Sequence, residues 1–328
     1  MNFTMRQQEN NFSCIKIFEI CIFFVILVVG GIGNGLVIFV TGYKMKTTVN
    51  SIWFLNLAMA DFLFITLLVY RIVFAFDNSI FWDWNKLMNA CLTFVCALNL
   101  FASVFFLTVI SVDRCLCTWF VVWAQNKRTL VKARIICVFV WMLSICCSIP
   151  VGIAVYVLKD ENLINVYTSL HTYLFIVGFV IPFIIIASSY TAIGVRVKRL
   201  KTGKQLRPYR IISVILAFFI CWFPYHLYYL CFISSVKYNW SDSAKEKLRT
   251  VRPFVDCPIY LNSCLNPILY VFMCDEYKKK LKKSLLLVFE GAFTEEHLGL
   301  RSTPLPHNSQ CHKILNAQTE KNDHLIIC

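Results

Sequence analysis

The sequence predicts an all-α membrane protein: a bundle of seven transmembrane helices with a short amphipathic helix on the cytoplasmic surface. Three observations predict it. The 328 residues are 58% hydrophobic and only 15% charged, with a mean hydropathy of +0.65, too apolar for a soluble globular domain. Seven apolar runs are long enough as helices to cross roughly 30 Å of hydrocarbon, which takes about 20 residues each. Basic residues collect on alternate connections between those runs, the bias that sets orientation.

The elements follow in order. Residues 1–16 are read as an extracellular N-terminus, with glycosylation sequons at Asn2-Phe3-Thr4 and Asn11-Phe12-Ser13. The bundle occupies 17–273, with spans at about 17–43, 51–74, 88–115, 133–157, 170–195, 209–235 and 251–273. The first run begins too late and is too long for a cleaved leader, so it is read as a retained span. Pro150, Pro182, Pro224 and Pro267 fall inside runs; in a membrane bundle they read as kinks, because neighbours re-satisfy the freed backbone groups. A third sequon, Asn239-Trp240-Ser241, lies between spans six and seven, on the same side as the first two.

Lys44 and Lys46 follow span one, and Lys127, Arg128, Lys132 and Arg134 join spans three and four. Arg196, Lys198, Arg199, Lys201, Lys204, Arg207 and Arg210 join five and six, and Lys278, Lys279, Lys280, Lys282 and Lys283 follow seven. That side is cytoplasmic by the positive-inside rule. The chain is therefore expected in the plasma membrane with its N-terminus outside and C-terminus inside. The net charge of +14 is mostly this bias, so no nucleic-acid partner is expected. Residues 274–290 form the amphipathic helix: Tyr277, Leu281, Leu285 and Phe289 recur every fourth residue among lysines, suiting an anionic lipid surface. Residues 291–328 are polar and expected to be a disordered cytoplasmic tail.

Other membrane classes fit poorly. No inverted repeat or matched pair of broken helices suggests a transporter. The six histidines, at 171, 226, 297, 307, 312 and 324, have no ligand spacing within a span, and no nucleophile–base set suggests an enzyme. No resident metal beyond sodium and no cofactor is expected.

Polar residues inside spans carry the mechanism, because an ionisable group there is expensive and is a functional hypothesis by default. From Asn89 to Val112 there is no Asp, Glu, Lys, Arg or His; then comes Ser111-Val-Asp113-Arg114-Cys115, where the third span meets the cytoplasm. Asp61 sits in the middle of span two, with Asn34, Asn99, Ser103, Asn262 and Asn266 supplying polar partners from three other spans. Asn262 and Asn266 share one helix face. Such a cluster either holds a sodium ion or only glues helices together; both readings stand open.

The motifs resemble those of rhodopsin-like G-protein-coupled receptors. They are Gly33-Asn34-Gly35 in span one, Leu57-Ala58-Met59-Ala60-Asp61 in two, Asp113-Arg114-Cys115 in three and Trp141 in four. Pro182 and Tyr190 follow in five, Cys221-Trp222-Phe223-Pro224-Tyr225 in six and Asn266-Pro267-Ile268-Leu269-Tyr270 in seven. The likeness runs over about residues 17–290. It implies that Arg114 holds the inner end closed through Asp113 and then swings to meet a heterotrimeric G protein. It implies that Tyr190 and Tyr270 support the open state, and that Trp222 and Pro224 couple the ligand pocket to movement of span six. Arrestin and receptor kinases are further implied partners.

A narrower resemblance is to the chemoattractant receptors, which include formyl-peptide, chemerin and chemoattractant-type prostaglandin-D receptors. Asn99-Leu-Phe-Ala-Ser103, Val122-Trp-Ala-Gln-Asn-Lys-Arg-Thr129 and Leu261-Asn-Ser-Cys-Leu-Asn-Pro267 carry it, while Ile185-Ile-Ala-Ser-Ser189 and Lys280 to Glu290 lean towards the prostaglandin member. The group implies an extracellular peptide or lipid agonist, signalling through inhibitory Gi, and control of cell migration. The alternative is a decoy of the same fold that binds without signalling.

Departures from the family are also legible. Its usual cysteine at the outer end of span three is Asn89 here, and the loop from Leu158 to Ser169 contains no cysteine. No disulfide is expected at Asn89; Cys14, Cys91 and Cys257 are the candidates for a substitute. The acid and arginines of formyl-peptide receptors are replaced by Ala97, Leu170 and Leu174, an aminergic Asp by Cys96 and an opsin Lys by Tyr260. Arg71, His171, Tyr225, His226, Tyr229, Arg252, Asp256 and Tyr260 remain as the candidate ligand pocket. Pairing of Arg71 with Asp256 would lower the cost of burying both, either as a ligand contact or as a structural pair.

Overall fold

The computed structural model describes residues 3–69, 72–73, 85–157, 163–200 and 208–273, with side chains at 17–69, 72–73, 87–157, 164–199 and 217–268. These residues lie in one compact unit, Met1–Leu281; the other unit, Lys282–Cys328, lies outside them. So do the expected amphipathic helix 274–290, the tail 291–328 and Arg71.

All regular structure among the described residues is helical, as hydrocarbon demands of a chain that must satisfy its own backbone. Span one is Phe3–Phe39, extended by a π turn at Val40–Lys44, and span two is Val49–Thr66. Span three is Asn85–Trp119, followed by a short helix Val121–Lys127, and span four is Leu130–Val157. Span five comprises Leu163–Phe175, a π turn at Ile176–Val180 and Ile181–Leu200. Spans six and seven are Pro208–Lys237 and Asp242–Met273.

Several boundaries depart from expectation. The first helix starts at Phe3 rather than near 17, and the seventh at Asp242 rather than near 251. Apolar periodicity marks where a helix enters lipid, whereas the backbone continues beyond that point into polar sequence. Among the described residues, six helices are apolar and long enough to cross a membrane by length and composition alone. The seventh falls short because of its polar residues. Its outer turns carry Asp242, Lys245, Glu246, Lys247, Arg249 and Arg252, and its inner turns carry the buried asparagines Asn262 and Asn266. Pro150, Pro224, Pro253, Pro258 and Pro267 all lie inside continuous helices.

Span three is the central post, packed against spans two, four and five. Its Phe101, Ala102, Val104 and Phe106 are fully buried. Span four instead shows Ile135, Val138, Phe139 and Met142 outward, and span one Phe24, Val25 and Val29. In lipid, apolar burial gives helices little reason to associate, so close packing and interhelical hydrogen bonds must hold them. Gly30 supplies the closeness: a Cβ there would lie 2.5 Å from Ile65 Cδ1 and 2.7 Å from Cys264 Sγ. A side chain there would force Ile65 and Cys264 to move, so glycine lets spans one, two and seven approach as they do.

Candidate functional site

Three groups of residues lie along the bundle. The middle group is built on Asp61, which is fully buried in span two. Ser103 Oγ donates to Asp61 Oδ1 at 2.9 Å, Asn99 Nδ2 reaches the same oxygen at 3.4 Å, and Asn266 Nδ2 donates to Oδ2 at 2.6 Å. Asn99 Nδ2 also donates to Ala60 O at 3.1 Å. Spans two, three and seven therefore converge on one carboxylate that has neutral donors and, among the described residues, no cationic partner. Asn34 is tied in less directly: its Nδ2 donates to Gly30 O and, across to span seven, to Ser263 O at 2.9 Å. Asn262 is buried, but its Nδ2 makes no hydrogen bond. Ser263 Oγ lies beside Asp61 without a well-aligned partner. The six expected members thus divide into four that form the cluster, one that joins through a neighbour's backbone, and one that does not join.

This donor set fits a hard monovalent cation, which needs oxygen ligands. Asp61 supplies the charge, Ser103 Oγ sits 2.9 Å from its carboxylate, and Ser263 Oγ and Asn34 Oδ1 are buried oxygens without a partner. Among the described residues, no three His, Cys, Asp or Glu side chains cluster as a transition-metal site.

The inner group differs from expectation. Asp113 does not pair with Arg114. Arg128, just after the short helix, takes both its oxygens: Nε donates to Oδ1 at 2.8 Å and an Nη donates to Oδ2 at 2.7 Å. The same Nη also donates to Asn50 Oδ1, in the first turn of span two. Neighbouring residues on a helix point about 100° apart and do not face each other. Arg114 would have to curl round to reach Asp113, whereas Arg128 approaches it head-on. Burial alone would lower the affinity of the Arg128 guanidinium for its proton, but the hydrogen bonds and charge of Asp113 outweigh this and raise its pKa. Span two is fixed at this end by a capping box, Thr48 Oγ1 accepting from Ser51 N and Ser51 Oγ from Thr48 N. That places Asn50 where Arg128 can reach it.

Tyr190, buried in span five, faces Ser111 and Arg114. Trp119 Nε1 donates to Ala192 O at 3.1 Å, and Arg196 stacks over its ring at 5.3 Å, tying spans three and five. Trp141 Nε1 donates to Asn56 Oδ1 at 3.0 Å, tying spans four and two. Pro267 packs near Gly33, while the Tyr270 side chain lies outside the described residues. Sequence reasoning missed Arg128, Asn50 and Asn56 as site residues. For Arg128 the signal was present, since it is a base inside the motif from Val122 to Thr129, but its partner lies fifteen residues away.

The outer group surrounds a cavity of about 200 Å³. Trp222 lines it with Tyr225, Tyr229 and Tyr260, and Arg252 and Asp256 supply its charges. Arg252 Nε lies 3.6 Å from Asp256 Oδ2, so Asp256 has a partner one turn away on its own helix. Ala97 and Leu174 make one wall apolar. His171 and His226 sit behind the lining. His171 stacks on Tyr229 with centroids 3.8 Å apart, and His226 packs against Phe175 and Phe179 at 5.4 and 5.1 Å. Both are buried, and His171 Nδ1 and His226 Nε2 make no hydrogen bond. Trp222 is buried at 1% exposure, so any group entering the cavity acts on a side chain already committed to the core. Phe179, in the π turn, stacks on Phe218 at 5.7 Å, placing span five's irregular segment against span six; such turns are frequent at functional sites. Cys91 and Cys257 are free thiols.

Comparison with known proteins agrees with this arrangement. The family model described as 7 transmembrane receptor (rhodopsin family) matches residues 33–270. A C3a anaphylatoxin chemotactic receptor of Danio rerio is 36% identical over 324 residues, covering 94% of this chain and 86% of its own length. An fMet-Leu-Phe receptor of Macaca mulatta is 33% identical over 306 residues, covering 86% of this chain and 88% of its own. A chemerin-like receptor 1 of Rattus norvegicus is 32% identical over 310 residues, with 86% and 82% covered.

Proposed function

The chain belongs to the rhodopsin family of seven-transmembrane receptors, and from that premise we propose that it senses the end of a chemoattractant peptide and activates an inhibitory Gi protein. It is a multi-pass G-protein-coupled receptor of the chemoattractant group and not an enzyme. The observation that carries the reading is one bundle with an outer cavity floored by the buried Trp222 and an inner end carrying Asp113-Arg114. A ligand that binds one bundle state better than the other shifts the population between them.

A peptide end is favoured over a whole lipid by size. Cavities that enclose drug-sized ligands run to roughly 300–1,000 Å³, and this one is about 200 Å³. The paired Arg252 and Asp256 at its rim suit a ligand carrying charge of either sign. The relatives' names point to a complement fragment, a formyl peptide and chemerin. We read the N-terminus as outside and Asn239 as a glycan acceptor; Asn239 is exposed, with φ 44°. The Asp61 cluster is read as a sodium seat, with Asp61 and Ser103 as ligands and Ser263 as a further oxygen; the ion would supply only charge.

The test applies anaphylatoxin C-terminal peptides, formyl peptides, chemerin C-terminal peptides and prostaglandin D2 to membranes bearing the full chain and follows nucleotide exchange on Gi. Exchange driven by one of the peptides is expected. Exchange driven by prostaglandin alone would overturn the peptide reading, and saturable binding without exchange would make the chain a decoy.

A further inference from the structure

We propose that Arg128 is a positioning residue for coupling: it withdraws the Asp113 carboxylate from Arg114 and so leaves Arg114 free to meet the G protein. The inference rests on the coupling role proposed for the inner end. Arg114 could reach the Asp113 carboxylate only by curling round the helix, Arg128 already holds both its oxygens, and one acid accepts only one bidentate fork well. Arg128 takes both oxygens, at 2.8 and 2.7 Å, and fixes its guanidinium with a third hydrogen bond to Asn50. The paired side chains are only 21% and 14% exposed, so water screens the pair weakly. Charge-assisted bidentate bonds of this kind are about twice as strong as neutral ones.

Arg114 is left without a carboxylate partner among the described residues, beside Tyr190 and Ser111. Three separate segments build the clamp: the inner end of span three, the loop before span four, and the capped start of span two. The brake on Arg114 is therefore set by the intracellular loop rather than by its own neighbour in the chain. A lysine at 128 would supply the charge but not the fork, so it could not hold both oxygens and Asn50 together.

The test uses the purified full chain and two readings. Phenylglyoxal modifies unpaired arginines, and mass mapping reports Arg114 and Arg128 separately. Arg114 is expected to react readily in the wild type, to be protected severalfold in Arg128→Ala as Asp113 turns to it, and to react again in Arg128→Ala with Asp113→Asn. The second reading is affinity for nucleotide-free Gi heterotrimer. Arg128→Ala should weaken it about tenfold, because the competent fraction falls, and the added Asp113→Asn should restore it. Arg128→Lys should lie between wild type and Arg128→Ala. A purely structural role for Arg128 predicts the opposite, since removing the acid as well would not rescue binding. Unchanged Arg114 reactivity in Arg128→Ala, or lost binding without rescue, overturns the proposal. If Arg128→Ala does not fold, Asn50→Ala removes only the third contact and should move both readings in the same direction by less. Failure of the wild type to bind Gi would defeat the coupling reading, while the labelling still decides this one.

Discussion

The inner and outer halves of the bundle are held by different forces. At the inner half and the middle of the bundle, directed polar bonds cross between helices: Arg128 to Asp113 and Asn50, Trp119 to Ala192, Trp141 to Asn56, and the donors around Asp61. At the outer half, the described contacts are mostly stacked rings, such as His171 on Tyr229 and Phe179 against His226, with two ion pairs at 3.6 Å, both within span seven, and a directed bond from Tyr173 to Cys147 O. Directed bonds have few alternative geometries, so they favour discrete states. Stacked rings tolerate sliding, so they adapt to different ligands. A receptor needs discreteness where it meets a common transducer and tolerance where it meets its own agonist.

Mutations should therefore lose effect from the inside outward. The largest effect is expected at Arg114. Arg114→Ala should reach the cell surface yet lower nucleotide exchange on Gi by at least about tenfold, within the range of coupling free energies between linked sites. Exchange at the wild-type rate would place the transducer contact elsewhere. A smaller effect is expected at the middle of the bundle. If sodium prefers the resting state at Asp61, linkage requires it to oppose any agonist that prefers the active one. Agonist affinity should fall about fivefold or more when sodium replaces a bulky organic cation at equal ionic strength. Asp61→Asn should abolish that difference. Equal wild-type affinities in the two salts would leave the cluster as helix glue alone.

A smaller effect again is expected at the outer half. His171→Ala removes a ring stacked at 3.8 Å on Tyr229. Aromatic pairs contribute about 0.5–1.5 kcal/mol beyond burial, so the purified receptor should melt a few degrees lower, at about 2–4 °C per kcal/mol. Gi exchange driven from the inner end, measured without ligand, should be unchanged. A loss of basal exchange would show that the two halves are more tightly joined than their bonding suggests.

The fold was legible because six of the described spans are apolar over most of their length, and that constraint writes itself into composition. Asp61 and its partners Asn99, Ser103 and Asn266 were legible for the converse reason: polar residues in hydrocarbon stand out. The exchange of partner at Asp113 was not legible. A sequence places Arg114 beside Asp113, but the helix turns them apart, and only the path of the loop brings Arg128 to the acid. Asn50 was hidden likewise, as an ordinary polar residue in a first turn until the capping box fixes its direction. The π turn at Ile176–Val180 has no marker in the sequence beyond nearby Pro182. His171 and His226 were expected in the ligand pocket but sit behind the cavity wall, since periodicity gives the side of a helix and not the depth of a side chain.

The smallest effect is expected from the outer cysteines. Asn89 stands where the resemblance to the receptor family implies a bridging cysteine, and the sequence from Leu158 to Ser169 contains no cysteine. Cys91 lines an open apolar groove between spans three and four with Phe94, Gly152 and Tyr156, while Cys257 is buried in span seven; both are free. Side chains turned to different faces cannot be bridged without moving backbone. A structural disulfide would contribute roughly 2–4 kcal/mol, which at about 2–4 °C per kcal/mol would lower the melting temperature by about 4–16 °C on reduction. Mild reduction of the purified receptor should instead move it by less than about 1 °C, and Cys91→Ser should match the wild type in surface expression and ligand binding. Mass mapping of non-reduced peptides checks the same point chemically. A fall of several degrees on reduction, or a peptide linking Cys91 to Cys14 or Cys257, would mean that the outer half is stapled and that its tolerance comes from the stacked rings alone.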